Sequence, residues 1–144
     1  VGKARMVPPE QRKIEWERAV TNIGKASRMA EEQGLSIALE PLNRFESDLI
    51  NTAEDVMRLI NDVNHPSAKV LLDGFHMSIE EPNIEKAILT VGDKLIHVQV
   101  SENYRGTPGS KELGGAVCIW KHLAPSQDAF ASDGLSFLKS IFHP

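Results

Sequence analysis

The chain has 144 residues, 41% of them hydrophobic and 25% charged, with a formal net charge of −4. That is enough chain for one domain with its own core, in an ordinary folded composition rather than a disordered one. The acidic balance gives no basic footprint for nucleic acid, no apolar run reaches the length of a membrane-spanning helix, and the single cysteine, Cys118, excludes an intrachain disulfide and fits a reducing, cytoplasmic compartment.

Val1–Arg5 has no apolar signal-peptide core, and Val1 in place of an initiator Met points to a fragment or a processed chain. Pro8-Pro9-Glu10 reads as a helix start, because proline suits a first turn whose N–H groups have no partner. Trp16, Val20, Ile23, Ser27 and Ala30 come next at helical spacing, and Gly34 is a natural stop. Ser36 to Leu39 is a short apolar strand leading into Glu40-Pro41-Leu42-Asn43. Thr52 with Asp55 approximates a capping box, and Val56, Leu59, Ile60 and Val63 form the next apolar stripe, ended by Asn64-His65-Pro66. Lys69 to Leu72 is a second strand. Asn83 caps a third helix with Ile84, Ala87, Ile88 and Val91 inward, Gly92 stops it, and Leu95 to Val100 is a third strand. After an irregular stretch, Ser126 opens a last helix carrying Phe130, Phe137, Leu138 and Ile141.

Strands separated by helices imply right-handed βαβ units and a parallel sheet. The strands are nearly all apolar, which predicts that both sheet faces are covered. A closed (β/α)8 barrel needs roughly 200 residues or more. The reading is therefore α/β: about half a barrel in one domain over residues 1–144, or a small open sheet.

In parallel α/β folds the site lies at the carboxyl ends of the strands. The first strand ends in Glu40, the second in Asp73, and the third carries His97 and Gln99, two apart and so on one face. Glu46, His76, Glu102 and Arg105 lie just beyond. Oxygen and imidazole donors of this kind suit Mn²⁺, Mg²⁺ or Co²⁺, and the lack of a thiolate among them weakens a structural zinc reading. Each residue also has an ordinary structural reading. Glu40 alone fits a solvated acid or cap, Asp73 a turn cap before Gly74, and His97 a hydrogen-bonded core histidine. His76 fits packing beside Phe75 and Met77, and Arg105, Glu46 and Glu102 fit exposed charges. Trp16 and Trp120 read as core or interface aromatics and Cys118 as a buried thiol. Repetition favours function: three successive strands put polar groups at the same end, where burial is costly unless they are paired.

The segments "ALEPLNRFESDLINTAEDVMRLI" (38–60), "KVLLDGFHMSIEE" (69–81) and "IHVQVSENYRGTPG" (96–109) resemble the sugar phosphate isomerase/epimerase family with a xylose isomerase-like TIM barrel, nearest to the ketose 3-epimerases. The resemblance implies the C-terminal part of a barrel and a metal-dependent isomerase or epimerase. Such an enzyme interconverts ketoses, by C3 epimerisation or aldose–ketose isomerisation, with proton transfer through a cis-enediolate. It implies Glu40, Asp73 and Gln99 as metal ligands, with Glu40 also moving a proton. Glu46, His76 and Arg105 would meet substrate oxygens, and His97 and Glu102 would support the ligands from behind. The implied partners are a small sugar and a second copy of the chain, with no nucleic acid and no membrane.

One departure stands out. The family's second catalytic Glu belongs to a segment resembling "VIESF" at the end of the last barrel strand, and this sequence has none. "RGTPGS" (105–110) passes directly to "KELGGAVCIWKHLAPSQDAFASDGLSFLK" (111–139), which resembles the family's segment beyond that strand. An α-β unit missing between Ser110 and Lys111 is the expectation. Two other readings stay open: a hydroxypyruvate-type isomerase, which suits Gln99, and a non-enzymatic remnant that folds only by association. A metal-dependent endonuclease would need more histidines and a basic surface.

Overall fold

The computed structural model describes residues 8–101, residue 105 and residues 127–142. The order is α1 (Pro9–Glu32), β1 (Ile37–Leu39), α2 (Ala53–Val63), β2 (Ala68–Asp73), α3 (Gly74–Glu80), α4 (Ile84–Val91), a single 3₁₀ turn (Gly92–Lys94), β3 (Leu95–Gln99) and α5 (Gln127–Phe142). The strands form a parallel sheet in the order β1-β2-β3. Successive strands lie side by side, the arrangement expected of part of a TIM barrel. The expected junction at 110/111, Glu102, Cys118, Trp120 and Ser126 lie outside the described residues.

Local chemistry sets the ends of the elements. Pro9 opens α1 at its first position. Thr52 accepts from the Asp55 N–H while Asp55 answers the Thr52 backbone, a full capping box on α2. Asn64 closes that helix in the left-handed conformation, with φ 49°. Asn83 accepts from the Lys86 N–H at 2.8 Å to start α4, and Gly92, at φ 53°, ends it.

The core lies on one face of the sheet. Val70 and Leu72 from β2 meet Val56, Leu59 and Ile60 from α2 and Ala87 and Val91 from α4, all buried. Trp16 of α1 packs against this cluster, its indole N–H donates to Asp62 at 2.7 Å, and Arg58 lies 4.5 Å over its ring. Leu59 is 1% exposed. Leu59→Ala is expected to cost about 3 kcal/mol, as transfer and cavity terms add, measured by urea denaturation.

Three expectations are corrected. Asp73 is followed by a seven-residue helix, α3, where the sequence suggests only a turn. Ile88, expected inward, is exposed, because in an eight-residue helix only one narrow stripe reaches α2 and Ala87 and Val91 occupy it. The second face of the sheet is not fully covered: Lys69 and Leu71 are half-exposed and His97 is exposed. The three strands among the described residues do not close on themselves, so their apolar sequences do not report two covered faces.

Candidate active site at the carboxyl ends of the strands

Register decides which side chains share a face. Ala38 pairs with Lys69, Leu71 with His97, and Asp73 with Gln99. Strand alternation then carries Glu40, Leu71, Asp73, His97 and Gln99 to the same side, opposite the helix-packed core. The chain's polar strand ends therefore open onto one place.

Within it, single donor atoms of Glu40, Asp73 and His76 all lie within 4.8 Å of one another. His76 Nε2 stands 3.7 Å from Glu40 Oε1 and 3.7 Å from Asp73 Oδ2. Asp73 and His76 are buried and Glu40 is partly so. Asp73 plays two parts at once: Oδ1 accepts the Phe75 N–H at 2.9 Å and caps α3, while Oδ2 faces His76. The short helix thus presents His76 to the carboxylates. Burial, then the nearby Asp73 charge, raises the Glu40 pKa above the usual carboxylate range, against the pull of Arg105. Burial likewise lowers the His76 pKa, outweighing the attraction of Asp73 and Glu46.

The loop after β1 is fixed by its own hydrogen bonds. Asn51 Nδ2 donates to the Leu42 and Ser47 carbonyls, and the Glu46 and Ser47 N–H groups donate to the Asn43 carbonyl. Asn43, 1% exposed, donates from its backbone N–H to His76 Nδ1 at 3.1 Å, and its Nδ2 lies 2.8 Å from the same atom. Nδ2 also donates to Glu46 Oε1 at 3.0 Å, while Oδ1 accepts the Phe45 N–H at 2.9 Å. Arg105 Nη2 reaches the same Glu46 oxygen at 3.1 Å, and its guanidinium lies 4.0 Å over the Phe75 ring. Arg105 takes φ 63°, a conformation that residues with side chains seldom adopt. Arg44 grips the buried Glu80 carboxylate through Nε and Nη2, both at 2.9 Å, which lowers the Glu80 pKa and ties α3 to the loop. Ala53 N–H donates to Glu81 Oε1 at 2.6 Å, holding the same C-terminal end of α3 to α2.

A model of the xylose isomerase-like TIM barrel matches residues 2–143.

The chain belongs to that family.

It is 44% identical over 98 residues to the D-psicose 3-epimerase of Ruminiclostridium cellulolyticum, covering 68% of this chain and 33% of that enzyme. It is 33% identical over 138 residues to a probable ketose 3-epimerase of a Synechocystis species, covering 75% of this chain and 48% of that protein. In structure it resembles D-psicose 3-epimerase with D-tagatose from Clostridium cellulolyticum H10, at TM-score 0.79 and 28% identity over 97% of this chain and 58% of that one. The chain thus spans a third to a half of these curated relatives.

Of the sequence-predicted site residues, Glu40, Asp73 and His76 meet directly, Gln99 is the register partner of Asp73, and Glu46 and Arg105 pair with each other beside them. His97 sits two residues before Gln99, exposed on the same face. Glu102 is outside the described residues. Asn43 is the residue that the sequence does not disclose. A polar residue with 1% exposure inside the Glu40–Glu46 turn is its structural mark, and nothing in the local periodicity marks it. The two carboxylates fit a divalent cation, since a cation here would relieve the burial and mutual repulsion that raise the Glu40 pKa.

Proposed function

We propose that this chain carries part of the active site of a metal-dependent ketose epimerase that moves a proton at the carbon next to a carbonyl. The convergence of Glu40, Asp73 and His76 at the carboxyl ends of β1 and β2 carries this reading. Glu40, Asp73 and Gln99 would hold Mn²⁺, Mg²⁺ or Co²⁺, which supplies Lewis-acid polarisation of the sugar oxygens. Glu40 exchanges the C3 proton. His76, Glu46 and Arg105 meet sugar oxygens and hold the substrate with C3 over Glu40, and His97 supports Gln99 from the strand position below. The relatives named as D-psicose and ketose 3-epimerases support a free ketose as the substrate class.

The half-exposed sheet face and the exposed Ile96 and Val98 of β3 support association with a second copy. Incubation with D-psicose and Mn²⁺ in D₂O tests the activity by NMR. Deuterium is expected at C3, with loss of that exchange on adding a chelator. No exchange at any Mn²⁺ concentration, or exchange untouched by the chelator, refutes the reading.

A further inference from the structure

We infer that Asn43 is a positioning residue that locks His76 in the Nε2–H tautomer, so that this imidazole donates a hydrogen bond into the site and cannot ligate a metal there. The inference rests on the proposed function for the identity of the acceptor, a sugar oxygen, but the tautomer itself follows from contacts within the chain.

One donor in this network has no alternative identity. The Asn43 backbone N–H points at His76 Nδ1 at 3.1 Å, and an N–H can only donate. Nδ1 must therefore carry a lone pair. The side chain adds a second donor, and its orientation is also fixed by the backbone: the Phe45 N–H needs an oxygen, so Asn43 Oδ1 faces Phe45. Nδ2 is then left for Glu46 Oε1 at 3.0 Å and His76 Nδ1 at 2.8 Å. Every partner in this chain of contacts agrees on one assignment. Arg105, on the same Glu46 oxygen, anchors its far end.

The consequence falls on the other ring nitrogen. A neutral imidazole with a lone pair on Nδ1 holds its proton on Nε2. That N–H lies 3.7 Å from both Glu40 Oε1 and Asp73 Oδ2, too long for a hydrogen bond to either. It is a donor aimed between two carboxylates, placed for an oxygen bound between them. A metal ligand needs a lone pair at that position, which His76 does not offer. The cluster of three thus divides into two cation-binding carboxylates and one hydrogen-bond donor.

Long-range ¹H–¹⁵N NMR of the histidine rings in the full chain tests this, with the His76 signals assigned by their loss in His76→Gln. The expected wild-type pattern is a protonated, pyrrole-type Nε2 and an unprotonated, imine-type Nδ1, unchanged when Zn²⁺ is added to saturation. Asn43→Asp replaces the Nδ2 donor with an acceptor but keeps the backbone N–H, and the two opposed partners are expected to leave the ring averaged between its tautomers instead of held as Nε2–H. Asn43→Ala, which keeps the backbone donor, retains the imine-type Nδ1 and provides the second variant if the aspartate disturbs folding. An Nδ1–H or averaged pattern in the wild type overturns the inference. So does conversion of Nε2 to a metal-bound signal by Zn²⁺, or an Asn43→Asp protein whose ring is unchanged. Failure of ketose exchange with the Nε2–H pattern intact refutes the proposed function alone, and an active protein with an Nδ1–H ring refutes this inference alone.

Discussion

Glu40→Gln is expected to make the metal-free protein more stable at neutral pH while removing its response to divalent cations. The wild-type carboxylate is held in a partly buried position facing Asp73, and both circumstances disfavour its charge. The sign comes from linkage. Between the usual carboxylate range and the raised folded value, the folded chain holds a proton that the unfolded chain has released. Stability therefore falls as pH rises through that window, and the penalty is fully present above it. A neutral glutamine carries no such penalty. Its gain is present above the window and vanishes as the pH falls into the usual carboxylate range, where the wild type is also neutral.

The metal arm of the same experiment moves the other way. A cation that binds only the folded wild type at 100 times its Kd adds about 2.7 kcal/mol. Glu40→Gln is expected to lose that increment, and with it about 10²–10⁴-fold in ketose exchange, the usual range for a lost acid–base group. Thermal melts of both proteins between acid and neutral pH, with and without Mn²⁺, measure the stability terms, and deuterium uptake at C3 measures the exchange. A variant no more stable than wild type when metal-free, or equally stabilised by Mn²⁺, would refute the assignment of Glu40 as a strained ligand.

Much of this frame is legible in the sequence, and the residues show why. Signals that act within one turn, such as Thr52 with Asp55, Asn83 before α4 and Gly92 after it, carry their meaning in neighbouring positions. Strand ends are also local, so Glu40 and Asp73 stand out as acids where apolar runs stop. The hidden features are either short or distant. Helix α3 has seven residues, too few for a periodic stripe to register. Asn43 and His76 are 33 residues apart, and nothing in either segment announces the other. Glu46 and Arg105, 59 apart, are each legible as polar loop residues, but their ion pair comes from the fold. The open face of the sheet depends on how many strands are present, which the composition of a single strand cannot report.

Asp73 offers the sharpest separation of architecture from chemistry, because its two oxygens do different work. Asp73→Asn keeps an oxygen for the Phe75 N–H, so α3 stays capped and His76 stays in place. The amide that replaces Oδ2 brings no charge to the cation, and its N–H groups face the Nε2–H of His76 as donor against donor. Mn²⁺ affinity is expected to fall by more than about 100-fold, since loss of a supporting group alone costs about 10–100-fold. Stability in urea should remain within about 1 kcal/mol of wild type, because the cap survives. Asp73→Ala removes both functions. It adds a cap loss of about 1 kcal/mol to the lost ligand, and α3, which holds His76 at its third position, loosens at the end nearest the site. Calorimetric titration with Mn²⁺ and urea denaturation of the pair distinguish the two roles. If the asparagine variant binds Mn²⁺ as the wild type does, Asp73 is only a helix cap and the cation-binding site must be sought elsewhere in the barrel. If the two variants lose stability equally, the cap assignment fails instead. The expected result, one variant stable and metal-blind and the other weakened on both counts, requires that a single buried carboxylate both start a helix and face the reaction.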